Sequence, residues 1–427
     1  MESGDLQMTY RNLPTRRDFT QLFSFPALTL PFFTGPLGAG TRFDSAKEKS
    51  LTRALTESRD RHKIPCVVAM VADRDQILYQ GAFGTRDSES GKPVQMDSVF
   101  AIASMTKAIT SAAAMHMVER GKLSFDQPAA KVLPELGKVQ VLDGYDDAGK
   151  PKLRAPKTAV TLRHLLSHTS GFCYNTWSDE MVKWEKATGT TVTGVAPNVP
   201  LMFDPGARWQ YGYGIDYAGK MVEAASGLTL EQYFQQNLLQ PLGMRDTSFI
   251  VAPDKFERLV TGYGRQADGT LKSFPRELPK PPAVYNGGGG LFSAVPDYMK
   301  FTQMILRNGQ GAGGASILKS STVKIMSTNQ TGAHPAGRLK SQQPERSSDV
   351  DLHPGADDRY TAGFLLNPVA HKGGRAAGSL GWAGIYNTFY WIDPKNDLCA
   401  VLMMQLLPFV DKEAVGLLSE FEQAVYA

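Results

Sequence analysis

Ile64-Pro65-Cys66-Val67-Val68-Ala69-Met70-Val71 is an uninterrupted run without a charge. After Asp73-Arg74-Asp75, a second apolar run extends from Ile77 to Phe83. Two β-prone runs either side of a short charged turn read as an antiparallel hairpin. A matching pattern lies near the other end of the chain. There Tyr386 to Ile392 and Leu398 to Leu406 flank the turn Asp393-Pro394-Lys395-Asn396-Asp397. A charged amphipathic helix, Ala46 to Arg61, precedes the first hairpin, and a last helix, Asp411 to Val425, follows the second. The middle is helical instead. Ser104 to Arg120 is rich in Ala and Met and stops at Gly121, and Thr161 to His168 and Tyr217 to Ala225 carry further helical patterns. Strands at both ends with helices between predict an α/β (α+β) fold: one antiparallel sheet built from both termini and flanked by helices, with an inserted all-helical lobe. The expected boundaries are a leader over 1–44, a sheet lobe over about 45–100 and 285–427, and a helical lobe over about 101–284.

Composition narrows the function. The chain has 427 residues, 42% hydrophobic and 21% charged, with a net charge of only +4. No block of five like charges occurs, which argues against a nucleic-acid partner. Cys66, Cys173 and Cys399 are odd in number and share no Cys-x-x-Cys spacing, so they form neither a disulfide framework nor a zinc knuckle. Arg16-Arg17 stands before an apolar stretch from Leu22 to Phe33, the order of a twin-arginine export signal. Pro26 and Pro31 break that stretch, which is too short for a stable membrane span.

Ser104-Met105-Thr106-Lys107 fits Ser-x-x-Lys. On a helix, residues i and i+3 share a face, so the lysine reaches the serine hydroxyl and can help remove its proton. The pattern recurs at Ser316/Lys319 and Ser321/Lys324. Ser316 follows a glycine-rich loop, and Ser320 or Ser321 reads as an N-cap for a helix from Thr322 to Met326. Only Ser104 leads into an unbroken apolar helix that buries its partner, and burial suits an amine to act as a base. The preceding run, Val99-Phe100-Ala101-Ile102-Ala103, places Ser104 at a helix start, where the dipole favours an oxyanion.

Trp209-Gln210-Tyr211-Gly212-Tyr213-Gly214-Ile215-Asp216 is an aromatic loop whose glycines let a tyrosine project into a cleft. Gly381-Trp382-Ala383-Gly384-Ile385 begins the C-terminal hairpin, with small residues that let a substrate carbonyl approach a strand edge. Gly287-Gly288-Gly289-Gly290 lacks the Gly-Lys-Ser/Thr of a phosphate loop. His164 and His168 have the spacing of a zinc helix, but position 165 is Leu rather than the required Glu, so capping and turn hydrogen bonds account for them better.

Taken in order, Ser104-x-x-Lys107, Leu162-Arg163-His164-Leu165-Leu166-Ser167-His168-Thr169-Ser170-Gly171, Trp209-x-Tyr211, the four glycines and Trp382-Ala383-Gly384 resemble the serine β-lactamase-like family, class C branch. Within it the chain looks most like family VIII carboxylesterases and the related fungal polyketide-tailoring transesterases, from about residue 45 to 425. The resemblance implies Ser104 as nucleophile and Lys107 as its base partner. It makes Tyr211 the residue that activates the serine and protonates the leaving group, and it puts the backbone N–H groups of Ser104 and Ile385 in the oxyanion hole. Trp382, Ala383, Gly384 and Tyr174 are the expected substrate-pocket residues. Two positions depart from the lactamase pattern. Tyr213 stands where lactamases have Asn, and Trp382-Ala383-Gly384 replaces Lys-Thr-Gly. Both lost groups help hold a charged antibiotic, so the expected activity is hydrolysis of small or medium carboxylic esters without metal or organic cofactor. Acyl transfer and lactamase or D,D-peptidase-type amide cleavage are the alternatives, because all three share an acyl-enzyme.

Overall fold

The computed structural model describes residues 43–427 apart from Pro197. The twin-arginine expectation at Arg16-Arg17 lies outside these residues. Helix α1, Ser45–Arg61, starts where the Asp44 side chain accepts from Lys47 N–H at 2.7 Å. The first hairpin is β1, Cys66–Ala72, and β2, Ile77–Gly84. Strand β3 is the short Phe100–Ala101, and α2 covers Thr106–Glu119. There follow α3, Leu162–Leu166, and α4, Gly214–Ser226. The chain then returns through β4, Phe292–Ser293, and α5, Val295–Leu306. Strands β5, Arg359–Tyr360, β6, Leu365–Leu366, β7, Leu380–Gly384, β8, Thr388–Asp393, and β9, Leu398–Met403, lead to the terminal helix α6, Lys412–Tyr426.

The main sheet has the order β2-β1-β9-β8-β7-β6-β5 and every pair in it is antiparallel. Its centre joins the two ends of the chain, with Val68 opposite Met403 and Met70 opposite Val401. Strands β1 and β8 are buried along their whole length. The reason is a helix on each face. Tyr390 and Trp391 are neighbours on β8 and so point to opposite faces. Tyr390 meets Tyr298 of α5 at 5.0 Å between rings, while Trp391 meets Phe421 of α6 at 5.9 Å. Helix α1 lies against α6.

Helix α2 is buried on all sides from Thr106 to Met117 and runs through the interior, packed on α4. The segment between the two parts of the sheet is not purely helical. It also carries two short hairpins, Val141–Tyr145 with Pro151–Arg154 and Tyr263–Arg265 with Leu271–Ser273. Their strands are largely exposed and give no two-residue alternation to read. Strand β9 ends at Met403, before the expected Leu406, because the chain leaves the sheet there. Gln405 then accepts from Ala101 N–H at 2.8 Å, fixing β3, and Leu406–Leu407 pairs in parallel with Tyr263 and Gly264. The helix expected to be capped by Ser320 or Ser321 begins at Ser320 itself, with Lys319 at the cap position and no side-chain cap bond.

Candidate active site

Ser104 lies in a single 3-10 turn, Ala103–Met105, between β3 and α2. Ala103 enters that turn at φ 43°, the left-handed region that a residue with a Cβ rarely adopts. Several elements hold the turn. Ile102 N–H donates to Leu291 C=O at 3.0 Å, Tyr298 O–H donates to Met105 C=O at 2.9 Å, and Gly384 presses on Ile102 so closely that a Cβ there would stand 2.4 Å from the Ile102 carbonyl oxygen. The strain is thus fixed at once from Leu291 just ahead of β4, from α5 and from β7. The Ser104 side chain stays half-buried, within reach of a ligand.

Lys107 is one turn further on and its residue is only 1% exposed. Its Nζ donates to Ser104 Oγ at 3.1 Å and to the Gly288 carbonyl. Two aromatic faces close around the ammonium, Tyr211 at 4.7 Å and Tyr174 at 5.1 Å from Nζ to ring centroid. Among the described residues Lys107 has no carboxylate within ion-pair distance.

Tyr211 is brought in by the loop ahead of α4. Gly212 is required there, since a Cβ would sit 1.9 Å from the Phe172 carbonyl oxygen. The phenol, 2% exposed, accepts a hydrogen bond from Trp382 Nε1–H at 3.0 Å. His168, Tyr174, Trp177 and Trp382 surround its ring at 4.6–5.4 Å between centroids. His168 accepts from Gly212 N–H through Nδ1 at 3.4 Å. Burial, with the Lys107 charge behind it, holds that imidazole well below its ordinary value, so it is neutral. His164 caps α3 in a capping box with Thr161, as a capping role predicts.

The structure therefore gathers Ser104, Lys107, Tyr211, Tyr174, Trp382 and Gly384. Ala383 differs. Strand alternation turns its methyl to the face opposite Trp382, so only its backbone can meet the cleft. Ile385 follows β7 immediately, and neither its N–H nor that of Ser104 has a hydrogen-bond partner among the described residues. Sequence reasoning missed Asp216, 3% exposed on α4. Its carboxylate accepts from Gly288 N–H at 3.1 Å and from Tyr174 O–H at 3.2 Å. Asp216 between Ile215 and Tyr217, in the first turn of an apolar-faced helix, was the available signal, because carboxylates are almost never fully buried without partners.

Against known proteins, the family model described as Beta-lactamase matches residues 51–423. The chain belongs to the beta-lactamase family. The monacolin J acid methylbutanoyltransferase of Aspergillus terreus is 33% identical over 409 residues, 88% of this chain and 94% of the relative. The lovastatin esterase of Penicillium rubens is 31% identical over 396 residues, 86% of this chain and 95% of the relative. A solved structure of a simvastatin synthase mutant from Aspergillus terreus superimposes with a TM-score of 0.77 at 32% identity, covering 90% of this chain and 95% of the other. This member of the beta-lactamase family thus sits among acyltransferases and esterases of one fold, which is the fold and family expected from the motifs. No helix among the described residues is long and apolar enough to cross a membrane.

Proposed function

We propose that the chain forms an acyl-enzyme on Ser104 and acts on carboxylic esters. The observation that carries this reading is the buried Lys107 Nζ, 3.1 Å from a reachable Ser104 Oγ. In the proposed reaction Lys107 and Tyr211 take the Ser104 proton as Oγ attacks the ester carbonyl. The tetrahedral oxyanion is met by the unpaired N–H groups of Ser104 and Ile385, each worth about 2.7–4 kcal/mol to such a transition state. The C–O bond breaks, and Tyr211 returns the proton to the departing alcohol. A second nucleophile then repeats the sequence in reverse and frees Ser104.

Hydrolysis uses water as that nucleophile. Transfer to an alcohol is the second reading, and a specific observation favours it. Tyr211 sits inside a wall of aromatic rings, which disfavours stray water beside the base. The names of the two fungal relatives describe attachment and removal of an acyl group, two directions of one chemistry. Trp382 and Tyr213 at the positions of the lactamase Lys and Asn speak against β-lactam antibiotics as the main substrate.

The test uses p-nitrophenyl esters, a chromogenic cephalosporin and added alcohol acceptors. Ester turnover should exceed cephalosporin turnover, and acyl esters of the acceptor should accumulate if transfer operates. Ser104→Ala should abolish ester turnover, and a fluorophosphonate should label Ser104 alone. Labelling at another residue, or full turnover by Ser104→Ala, overturns the reading.

A further inference from the structure

We infer that Asp216 is a positioning residue for the base, anchoring the Gly288 loop that aims Lys107 and serving as the counter-charge to its ammonium at one remove. This rests on the acyl-enzyme reading above and names a group that it does not use.

Lys107 needs two acceptors to point at Ser104, and the Gly288 carbonyl is the second. That carbonyl is only as fixed as its loop. Gly287 C=O accepts from Thr110 Oγ1 of α2 at 2.7 Å, and Gly288 N–H is shared between Asn286 Oδ1 at 3.0 Å and Asp216 Oδ1 at 3.1 Å. The Asn286 bond is internal to the loop. Among the described residues, the hydrogen bond to Asp216 is the one that ties Gly288 to α4, the helix that Tyr211 leads into. Contact is so close that a Cβ on Gly288 would lie 2.2 Å from Asp216 Oδ2. This explains why a glycine stands there although its φ is not in the left-handed region.

Lys107 must carry a positive charge once it holds the Ser104 proton, and a buried ammonium without a counter-charge is costly. No described carboxylate makes an ion pair with it. Asp216 is a buried acid that shares two neighbours with Lys107, Gly288 and Tyr174. Its own surroundings suit an anion: both partners, Gly288 N–H and Tyr174 O–H, are donors, and it lies in the first turn of a thirteen-residue helix. Burial pushes its carboxyl up from the usual range, and the Lys107 charge pulls the other way. Among the described residues the other titratable groups facing it are Tyr213 and Tyr217, from its own segment, together with Lys220, one turn along α4, and Tyr285, which line the same 290 Å³ cavity. Tyr174 does double service, donating to Asp216 while laying its ring over Lys107.

The test compares Asp216→Asn, which keeps the shape and removes the charge, with Asp216→Ala, which removes the anchor. Both are assayed in the full chain with p-nitrophenyl butyrate. In Asp216→Asn the acid limb of kcat/KM against pH should move to lower pH, because a negative charge beside the reacting groups is lost. In Asp216→Ala, kcat should fall about 10²-fold with KM within a factor of about three, the signature of a misaimed group rather than lost binding. A merely structural role would lower thermal stability without moving the limb. An unmoved limb in Asp216→Asn overturns the inference, as does an Asp216→Ala enzyme with near-normal kcat. Should Asp216→Ala not fold, the limb of Asp216→Asn decides by itself. Full turnover by Ser104→Ala is a different result, striking the acyl-enzyme reading itself.

Discussion

Trp382 and Tyr211 show how one residue can change its meaning between related sites. Where the lactamase pattern has a lysine, this chain has an indole whose N–H reaches the Tyr211 oxygen at 3.0 Å. A cation is replaced by a neutral donor that marks the phenol's position without adding charge to the cleft. Trp382→Phe keeps the ring packing and removes only that donor. We expect kcat/KM for p-nitrophenyl butyrate to fall about tenfold, the equivalent of ~1.4 kcal/mol for one buried hydrogen bond, with the thermal midpoint nearly unchanged. At this scale the sequence was informative about Ser104, Lys107 and Tyr211, because helical spacing and glycine punctuation are local. Asp216 was not legible as part of the site. Its relevance depends on Gly288, 72 residues later, and no local pattern records that meeting.

The elements that carry the site are held by backbone contacts as much as by side chains. Gly212 lets the Tyr211 loop lie against Phe172 C=O, and Gly212→Ala should cost about 3 kcal/mol in a denaturant titration, as overpacking against backbone does. Activity should fall with it, since the loop that delivers the phenol must move. Helix α3 is short and depends on its capping box, so Thr161→Ala should cost about 1 kcal/mol by the same measurement. Both terminal hairpins and the terminal helices were legible from apolar runs, because a sheet covered on both faces needs continuous hydrophobic strands. Strands β5 and β6 were not. Two residues each, they give no periodicity; β6 forms on the edge that β7 offers, and β5 on the edge of β6.

Across the whole molecule, buried ionisable groups set how stability follows pH. Burial, with Arg120 nearby, pulls the His116 imidazole down to about 4, and His168 is lower than its ordinary value for the reason given above. Both are neutral when folded, while the unfolded chain binds their protons below about pH 6.5. Their contribution is therefore complete above that value and is lost progressively as pH falls from there toward the folded value, about 4 for His116. Glu422 adds a second phase. Burial alone would push its carboxyl up, but Arg375, bonded to it through Nε at 2.8 Å and Nη2 at 2.6 Å, outweighs burial and holds it far below the usual range. That contribution is present above the unfolded value of 4.5 and disappears as pH falls below it. The thermal midpoint should thus begin to drop below about pH 6.5 and drop more steeply below about pH 4.5; a midpoint flat from pH 7.5 to 4 would contradict this. Glu422→Gln, which strands a buried guanidinium, should cost about 3 kcal/mol at pH 7. The pairing of Val68 with Met403 has a further consequence for how the protein is made. At ~5–20 residues per second, a nascent chain exposes the bare edge of β1 for tens of seconds before its partner strand leaves the ribosome. Biogenesis therefore depends on shielding that edge until translation is nearly finished, and a premature stop shortly before β9 should leave an aggregation-prone product rather than a partly working enzyme.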